Sequence, residues 1–285
     1  MALIDTLLQG VLLGGLYTLF AVGLSLIFGV MRLVNIAHGD FAILAAYIGH
    51  MVLTTLGLHP LLALAIVIPV MAGLGYLLQS ALLNRVMGED ILPPLLVTFG
   101  LAIIVQNALL ATFSSNAVRL PAGALETASI EIAGVHLGIL PILTFCVAVL
   151  LIAALEFLFS STRAGRAFRA TSDDPEIAKA IGVKTYHVLS MAMALCFSTI
   201  ALAGVLLAMR SNFDPFSGPA RLIFGFEAVI IGGLGSFWGT LAGGIVLGVA
   251  QSLGAQISPG MQILAGHLVF FAVLALRPRG LFPKG

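Results

Sequence analysis

Residues 7–30 read LLQGVLLGGLYTLFAVGLSLIFGV, a run without one charged side chain. A helix that crosses a bilayer needs about 20 consecutive apolar residues, so this stretch crosses once on its own. Working outward, the same absence of charge recurs over 41–84, 91–118, 132–155, 188–209 and 228–276. Hydrophobic residues make up 60% of the 285 and charged residues only 9%, where a soluble domain carries about 25% charged. Barrel strands would alternate over about ten residues; continuous blocks of this length exclude them. The expectation is an all-α polytopic membrane protein, one domain over 1–285, a helical bundle of about 8–9 transmembrane segments.

Several function classes drop out. A net charge of +1 gives no footprint for nucleic acid. Cys146 and Cys196 lie inside apolar blocks and read as small packing residues, with no disulfide framework or zinc site. Only Asp5 precedes the first block, which argues against a cleavable signal peptide. Little chain remains outside the blocks for a soluble catalytic domain. No phosphate-loop, HExxH or GxSxG pattern occurs. His38, His50, His59, His136, His187 and His267 are scattered, so no metal, haem or other cofactor is expected.

Basic residues set the sides. Arg163, Arg166, Arg169, Lys179 and Lys184 place the loop 160–187 in the cytoplasm. Five crossings precede it, over 7–30, 41–56, 61–83, 92–113 and 138–159, so the N-terminus falls outside. A crossing over 188–209 returns outward, and 210–222 is an external loop. Arg277, Arg279 and Lys284 hold the C-terminus inside. An odd number of crossings must then fit between, over 224–234, 238–256 and 261–276, with Gly232-Gly233-Leu234-Gly235 and Ser258-Pro259-Gly260 as the turns. The short Gly-rich segment 224–234 either spans or enters as a half-helix. Only Arg119, Arg210 and Arg221 of the 13 basic residues then face out.

Gly10 and Gly14, then Gly235, Gly239 and Gly243, then Gly244 and Gly248 repeat at a spacing of four. Small residues at that spacing let helix backbones approach closely in lipid. They read as packing within the bundle, with a dimer contact as the minority alternative.

Two stretches interrupt the apolar pattern. Arg32 to Asp40 brings a cation, an amide (Asn35), an imidazole (His38) and an anion between two crossings. Polar groups at that depth mark function, unless Asn35 and Asp40 merely cap helices around a turn. In the loop 160–187, Asp174 before Pro175 reads as an N-cap with Pro at the first helical position. Glu176 favours the dipole and Gly182 ends the helix. A helix of about two turns cannot hold itself in water. With Ile177, Ala178 and Ile181 exposed on one face, it needs a partner surface; adhesion of a basic linker to lipid headgroups is the alternative.

The motifs Gly14-Gly15-Leu16-Tyr17-Thr18-Leu19, Asn35-Ile36-Ala37-His38-Gly39-Asp40, Gly165-Arg166-Ala167-Phe168-Arg169-Ala170 through Ala180-Ile181-Gly182-Val183, Gly232-Gly233-Leu234-Gly235-Ser236 and Leu276-Arg277-Pro278-Arg279-Gly280-Leu281-Phe282 occur in this order. Together they resemble the LivH/LivM-type permeases, the membrane subunits of branched-chain amino-acid ABC importers, over nearly the whole chain, and the LivH branch most. Asp40 stands where Glu is frequent in that family. The resemblance implies a bacterial inner-membrane permease, not an enzyme. It implies a homologous second permease subunit in a heterodimer, two cytoplasmic ATPase subunits and a periplasmic substrate-binding protein. It makes 160–187 the coupling loop, with Arg166, Arg169, Asp174, Pro175, Ile177, Ala178, Ile181 and Gly182 as coupling residues. Candidate residues of a translocation path are Asn35, His38, Asp40, Thr98, Gln106, Asn107, Glu227 and Gln251, each of which also suits ordinary interhelical hydrogen bonding. Glu227 begins the Gly-rich segment on this reading. A faint likeness of Ala21-Val22-Gly23-Leu24, ending at Gly29, to Ala228-Val229-Ile230-Ile231, ending at Gly235, hints at an internal repeat. Relatives that carry urea, short amides or aromatic acids leave the substrate open. A stand-alone secondary transporter or channel, or an electron-transfer scaffold, are the rivals from other classes.

Overall fold

A computed structural model of the chain describes residues 2–88, 90–132 and 134–282; Lys284 of the basic tail lies outside them. The charge-free blocks become helices: α1 (Ala2–Met31), α2 (His38–Leu56), α3 (Pro60–Val86) and α4 (Leu92–Phe113). After a hairpin of β1 (Ser129–Ile132) and β2 (Val135–Gly138) come α5 (Ile139–Ser161), α6 (Arg163–Asp173), α7 (Pro175–Ala180) and α8 (Thr185–Arg210). α9 (Gly218–Gly232), α10 (Phe237–Ile257) and α11 (Met261–Leu276) complete the bundle. Among the described residues 7 helices are long and apolar enough to cross a membrane, α1 to α5, α8 and α10; α11 is apolar but shorter. α3 is wound as a π-helix over Gln79–Leu83, which turns the amide of buried Gln79 toward Asn84.

Three features depart from the sequence expectation. The hairpin was not foreseen, because four-residue strands carry almost no alternation. The first part of the 160–187 loop is the regular helix α6, begun by Thr162, whose hydroxyl accepts from the Gly165 amide at 3.0 Å. The short Gly-rich helix starts at Gly218, with Pro219 in its first turn, well before 224. Its 15 residues reach about 22 Å, less than the roughly 30 Å of hydrocarbon.

α1 lies at the centre, and α10 packs along it through glycine. A Cβ on Gly10 would stand 2.7 Å from Val249 Cα, and one on Gly14 2.6 Å from Ile245 Cα. From the other side, Gly248 abuts Gly10 O and Gly14 N, and Gly244 abuts Gly14 O. The spacing-of-four glycines therefore serve packing inside the bundle. Gly232 and Gly239 do the same for α9 against α10. Of the two cysteines Cys196 is buried as expected, whereas Cys146 is exposed on the outside of α5.

Loop contacts sort the connections into two ends. Gln9 meets His136 O, His59 meets Ala122 O, and Val118 pairs with Phe213, all at one end. At the other, Ser172 bonds Gly29 O, Gly29 touches Gly235, and the amides of Leu281 and Phe282 bond Ile231 O and Gly232 O. This grouping is the one that strict alternation of crossings requires. It also places the ends of the two segments of the suspected repeat side by side.

Two helices start inside the bundle. His38, the first residue of α2, sits with Nε2 2.9 Å from Phe20 O, about 16 Å back from the end of α1 at 1.5 Å per residue. The connection from Arg32 to Ala37 must therefore climb back along α1. The segment 211–217 descends likewise, because Phe213 packs on Tyr47 at 4.9 Å and Gly218 touches Asp40.

Gly248→Val should cost about 1–3 kcal/mol by overpacking the seam, whereas Gly73→Ala, at a glycine with open space around it, should be neutral. Thermal loss of monodisperse protein in detergent measures both; equal melting temperatures would show that the α1–α10 seam is not close-packed.

Candidate functional site

Three groupings of polar side chains stand out from the apolar bundle. The first is built on the re-entrant segment. Asn35, His38 and Asp40 are all buried. The Asn35 side-chain oxygen accepts from the Ala37 amide at 3.0 Å, closing a local turn before α2. Thr98 Oγ1 of α4 accepts from the Ile36 amide at 3.3 Å, and Gln106 Nε2 donates to Asp40 Oδ1 at 2.9 Å. Thr98 and Gln106 are two turns apart and so share one face of α4. Asp40 thus does not cap α2 as the turn reading had it: its carboxylate faces Gln106 and abuts Gly218. His38 Nδ1 lies 3.8 Å from Cys196 Sγ of α8. Asn107, one residue beyond Gln106, is exposed and bonds its own helix at Ile103 O.

The second grouping joins α1, α9, α10 and α11. The Tyr17 hydroxyl donates to Gln251 Oε1 at 2.5 Å. Glu227 pairs with His267 Nδ1, and Phe224 lies between these pairs, 5.2 Å from the Tyr17 ring and 6.4 Å from His267. Glu227 lies within α9 and does not begin it. Gly266 lets α11 close on Gln251, since a Cβ there would stand 2.9 Å from Gln251 Nε2. Sequence reading named Glu227 and Gln251 but not Tyr17 or His267, which look like ordinary members of apolar helices until the fold aligns them.

The third grouping is α6 with α7 at the end of the bundle that carries Gly29 and Gly235. α6 anchors through Phe168, stacked on Phe159 at 5.1 Å, through Ser172 Oγ to Gly29 O at 2.6 Å, and through Arg169 to Phe159 O. Arg166 is exposed. Asp174 Oδ1 accepts from the amides of Glu176 and Ile177, each at 2.9 Å, with Pro175 next to it. At the far end Gly182 takes φ +91, Val183 N donates to Ala178 O at 3.0 Å and Gly182 N to Lys179 O at 3.1 Å. This is the Schellman pattern, which needs glycine at the left-handed position. Ile177 and Ile181 are 61% and 72% exposed, but Ala178 is buried at 2%. The expected three-residue face is therefore two isoleucines one turn apart, with the small Ala178 side chain set a quarter-turn round as the anchor against the bundle.

With these features in view, comparison with known proteins is informative. The family described as branched-chain amino acid transport system / permease component matches residues 6–276. The chain belongs to that family. It is similar to the high-affinity branched-chain amino acid transport system permease protein BraD of Pseudomonas aeruginosa, 29% identical over 99% of this chain and 96% of that one. LivH of Escherichia coli K12, described in the same words, is 27% identical over 99% and 96%. The probable LivH of Methanocaldococcus jannaschii is 29% identical over 87% and 80%. The permease is a multi-pass membrane transport subunit and not an enzyme.

Replacing Asp174 by Ala should lose the cap of α7 and about 1 kcal/mol, raising amide exchange at Ala178 and Ile181 about fivefold; Asp174→Asn, which still accepts, should not. Gln106→Leu, which strips the donor from buried Asp40, should cost about 1–3 kcal/mol in the same melting assay.

Proposed function

We infer that this permease is half of the transmembrane pathway of an ABC importer in a bacterial inner membrane, carrying branched-chain or other hydrophobic amino acids inward. Its N-terminus faces the periplasm and its C-terminus the cytoplasm. It pairs with a homologous second permease in a heterodimer, receives substrate from a periplasmic binding protein, and is driven by two cytoplasmic ATPase subunits. Residues 1–285 act as one transmembrane unit, and 160–187 is its coupling loop.

The observation that carries this reading is α7: a helix of 6 residues, capped at both ends, that holds Ile177 and Ile181 out of the bundle. So short a helix does not persist in water, and the two isoleucines stand largely exposed. A groove in a partner supplies both. The basic residues of the same segment, Arg163, Arg166, Lys179 and Lys184, put it on the side that positive charge favours. Exposed Arg166 meets acidic groups on the ATPase, and Arg169, which anchors α6 to Phe159 O, offers its remaining guanidinium N–H groups to the same surface. In the transport cycle, ATP-driven closure of the two ATPases moves α7; α6 transmits that movement to α1 through Ser172 and Gly29. Asn35, His38, Asp40, Thr98, Gln106, Glu227 and Gln251 then lie on the side of the bundle where the path runs, with Asn107 at its margin.

The variant Ile177→Asp should insert normally and still pair with the second permease, yet lose co-purification with the ATPases and reduce uptake by more than tenfold, the equivalent of about 1.4 kcal/mol or more. Full uptake by that variant would overturn the assignment of the coupling segment.

A further inference from the structure

The importer reading leaves two arginines unexplained. Arg210 closes α8 and Arg221 stands in the first turn of α9, on either side of the descending segment 211–217. Among the described residues, the ion pairs are Arg119–Glu126 and Glu227–His267, so neither guanidinium has a carboxylate in contact. Buried atoms of both, Arg210 Nη1 and Arg221 Nε, find no hydrogen-bond partner. Asp214 lies within electrostatic range of Arg221 and offsets part of its charge, but it makes no ion pair with it, and its oxygens accept from the Phe216 amide at 2.8 Å and the Ser217 hydroxyl at 2.9 Å.

Helix electrostatics separates the two cations. Arg210 lies at a helix C-terminus, where positive charge is favourable, so it has a local structural reason to be there. Arg221 lies at a helix N-terminus, where positive charge is unfavourable, and α9 has no acidic residue in that turn. Asp214 offsets part of the charge at Arg221, and two partly desolvated cations close to that helix N-terminus favour a further anion between them.

The same neighbourhood holds unused complements. Arg221 and Glu227 lie less than two turns apart on α9, and Phe224 between them packs on the Tyr17 ring at 5.2 Å; Arg210, Arg221 and Glu227 are all within electrostatic range of the Tyr17 hydroxyl. Glu227 is 4% exposed and Gln251 1%, yet Glu227 Oε2 and Gln251 Nε2 have no partner. His267 occupies only the other carboxylate oxygen of Glu227. Next to Glu227 and His267, a groove of ≈ 410 Å³ is lined by Leu222, Phe226, Phe270 and Phe271. Unpaired guanidinium nitrogens, an unpaired carboxylate oxygen, the unpaired Gln251 amide and an apolar groove thus occur around α9, whereas the other buried atoms without a partner among the described residues are hydroxyls, amides and one imidazole, on Ser25, Asn35, Tyr47, His50, Gln79 and Thr171.

We propose that the permease itself carries an amino-acid recognition site at the break between α8 and α9, in which Arg210 and Arg221 receive the α-carboxylate, Glu227 receives the α-ammonium and the groove of α9 and α11 takes the apolar side chain. The site rests on the importer reading and narrows it: a neutral solute such as urea or a short amide offers no full negative charge to two cations, and an aromatic acid offers nothing to Glu227.

The test uses the assembled importer in nanodiscs without its binding protein, with saturation-transfer NMR of millimolar leucine, leucinamide, isopentylamine and 4-methylpentanoate. Leucine should bind; the amide and the amine, which lack the carboxylate, and the acid, which lacks the ammonium, should each be weakened at least about tenfold, as expected when a buried charged group loses its partner. Arg221→Gln and Arg210→Gln should each weaken leucine to the same degree, while Arg119→Gln, which removes a cation at the same end already paired to Glu126, should not. Equal binding of leucine and leucinamide, no leucine signal on the wild type, or full leucine binding by either assembled Gln variant would overturn the site. If a Gln variant does not assemble, the ligand comparison on the wild type decides alone. ATP-driven uptake of leucine by the complete importer with its binding protein tests the reading beneath: no uptake sinks that reading, while uptake together with indiscriminate binding sinks only the site.

Discussion

The interior of this bundle depends on a contact between two glycines. Gly39 in α2 and Gly218 at the start of α9 touch backbone to backbone, so two helices begin within the bundle and begin together. In lipid an unpaired amide costs several kcal/mol, and irregular backbone persists there only where protein or water satisfies it. The segment 32–37 meets that demand through Asn35 and Thr98, and 211–217 through Asp214 and the bridge from Phe213 to Val118. Each helix N-terminus also carries about half a positive charge, and two of them converge at one point. Asp40 sits between them, held by Gln106. A carboxylate there has a physical reason that a cap or a surface turn does not supply.

From this junction the bundle runs to two dissimilar ends. Toward the end that holds the hairpin lie the interrupted helices and the cations that flank them. Toward the other lie α6 and α7, joined to α1 by the Ser172 hydroxyl and to α5 by the stacked rings of Phe168 and Phe159. α1 connects the two regions because it touches both, through Gly29 at one end and Tyr17 near its middle. Discontinuous helices with their N-termini at depth are a recurrent way of placing polar backbone where a solute passes. In this chain the depth is set by glycine on both partners.

Much of this was legible in the residues alone. Charge-free blocks located the helices because lipid tolerates few charges, and the capped helix at 175–182 was readable from Asp174, Pro175 and Gly182, whose roles are local. Burial of Ala178 was not, since it depends on where the bundle stands relative to a two-turn helix. The climb of 32–37 back into the protein was also hidden: sequence shows that polar residues interrupt an apolar pattern, but not that the chain reverses there. Arg210 and Arg221 were misleading for the same reason. They read as residues of an external loop because two basic residues outside a crossing usually are, and only the early start of α9 at Gly218 brings Arg221 inward. Tyr17 stood out only as part of a family motif and His267 only as one of six scattered histidines, because each is a single polar group in an apolar helix whose partner lies 234 or 40 residues away.

The glycine seam between α1 and α10 has one more implication. A joint made of backbone against backbone has no long side chains that can swing to new rotamers and take up slack, and its carbonyls meet Cα–H groups along the line of contact. The two helices therefore travel as a single rigid plank. Relative displacement within the bundle then falls to the segments that lack regular helical hydrogen bonding, of which 32–37 leaves α1 directly and 211–217 lies one helix away from α10.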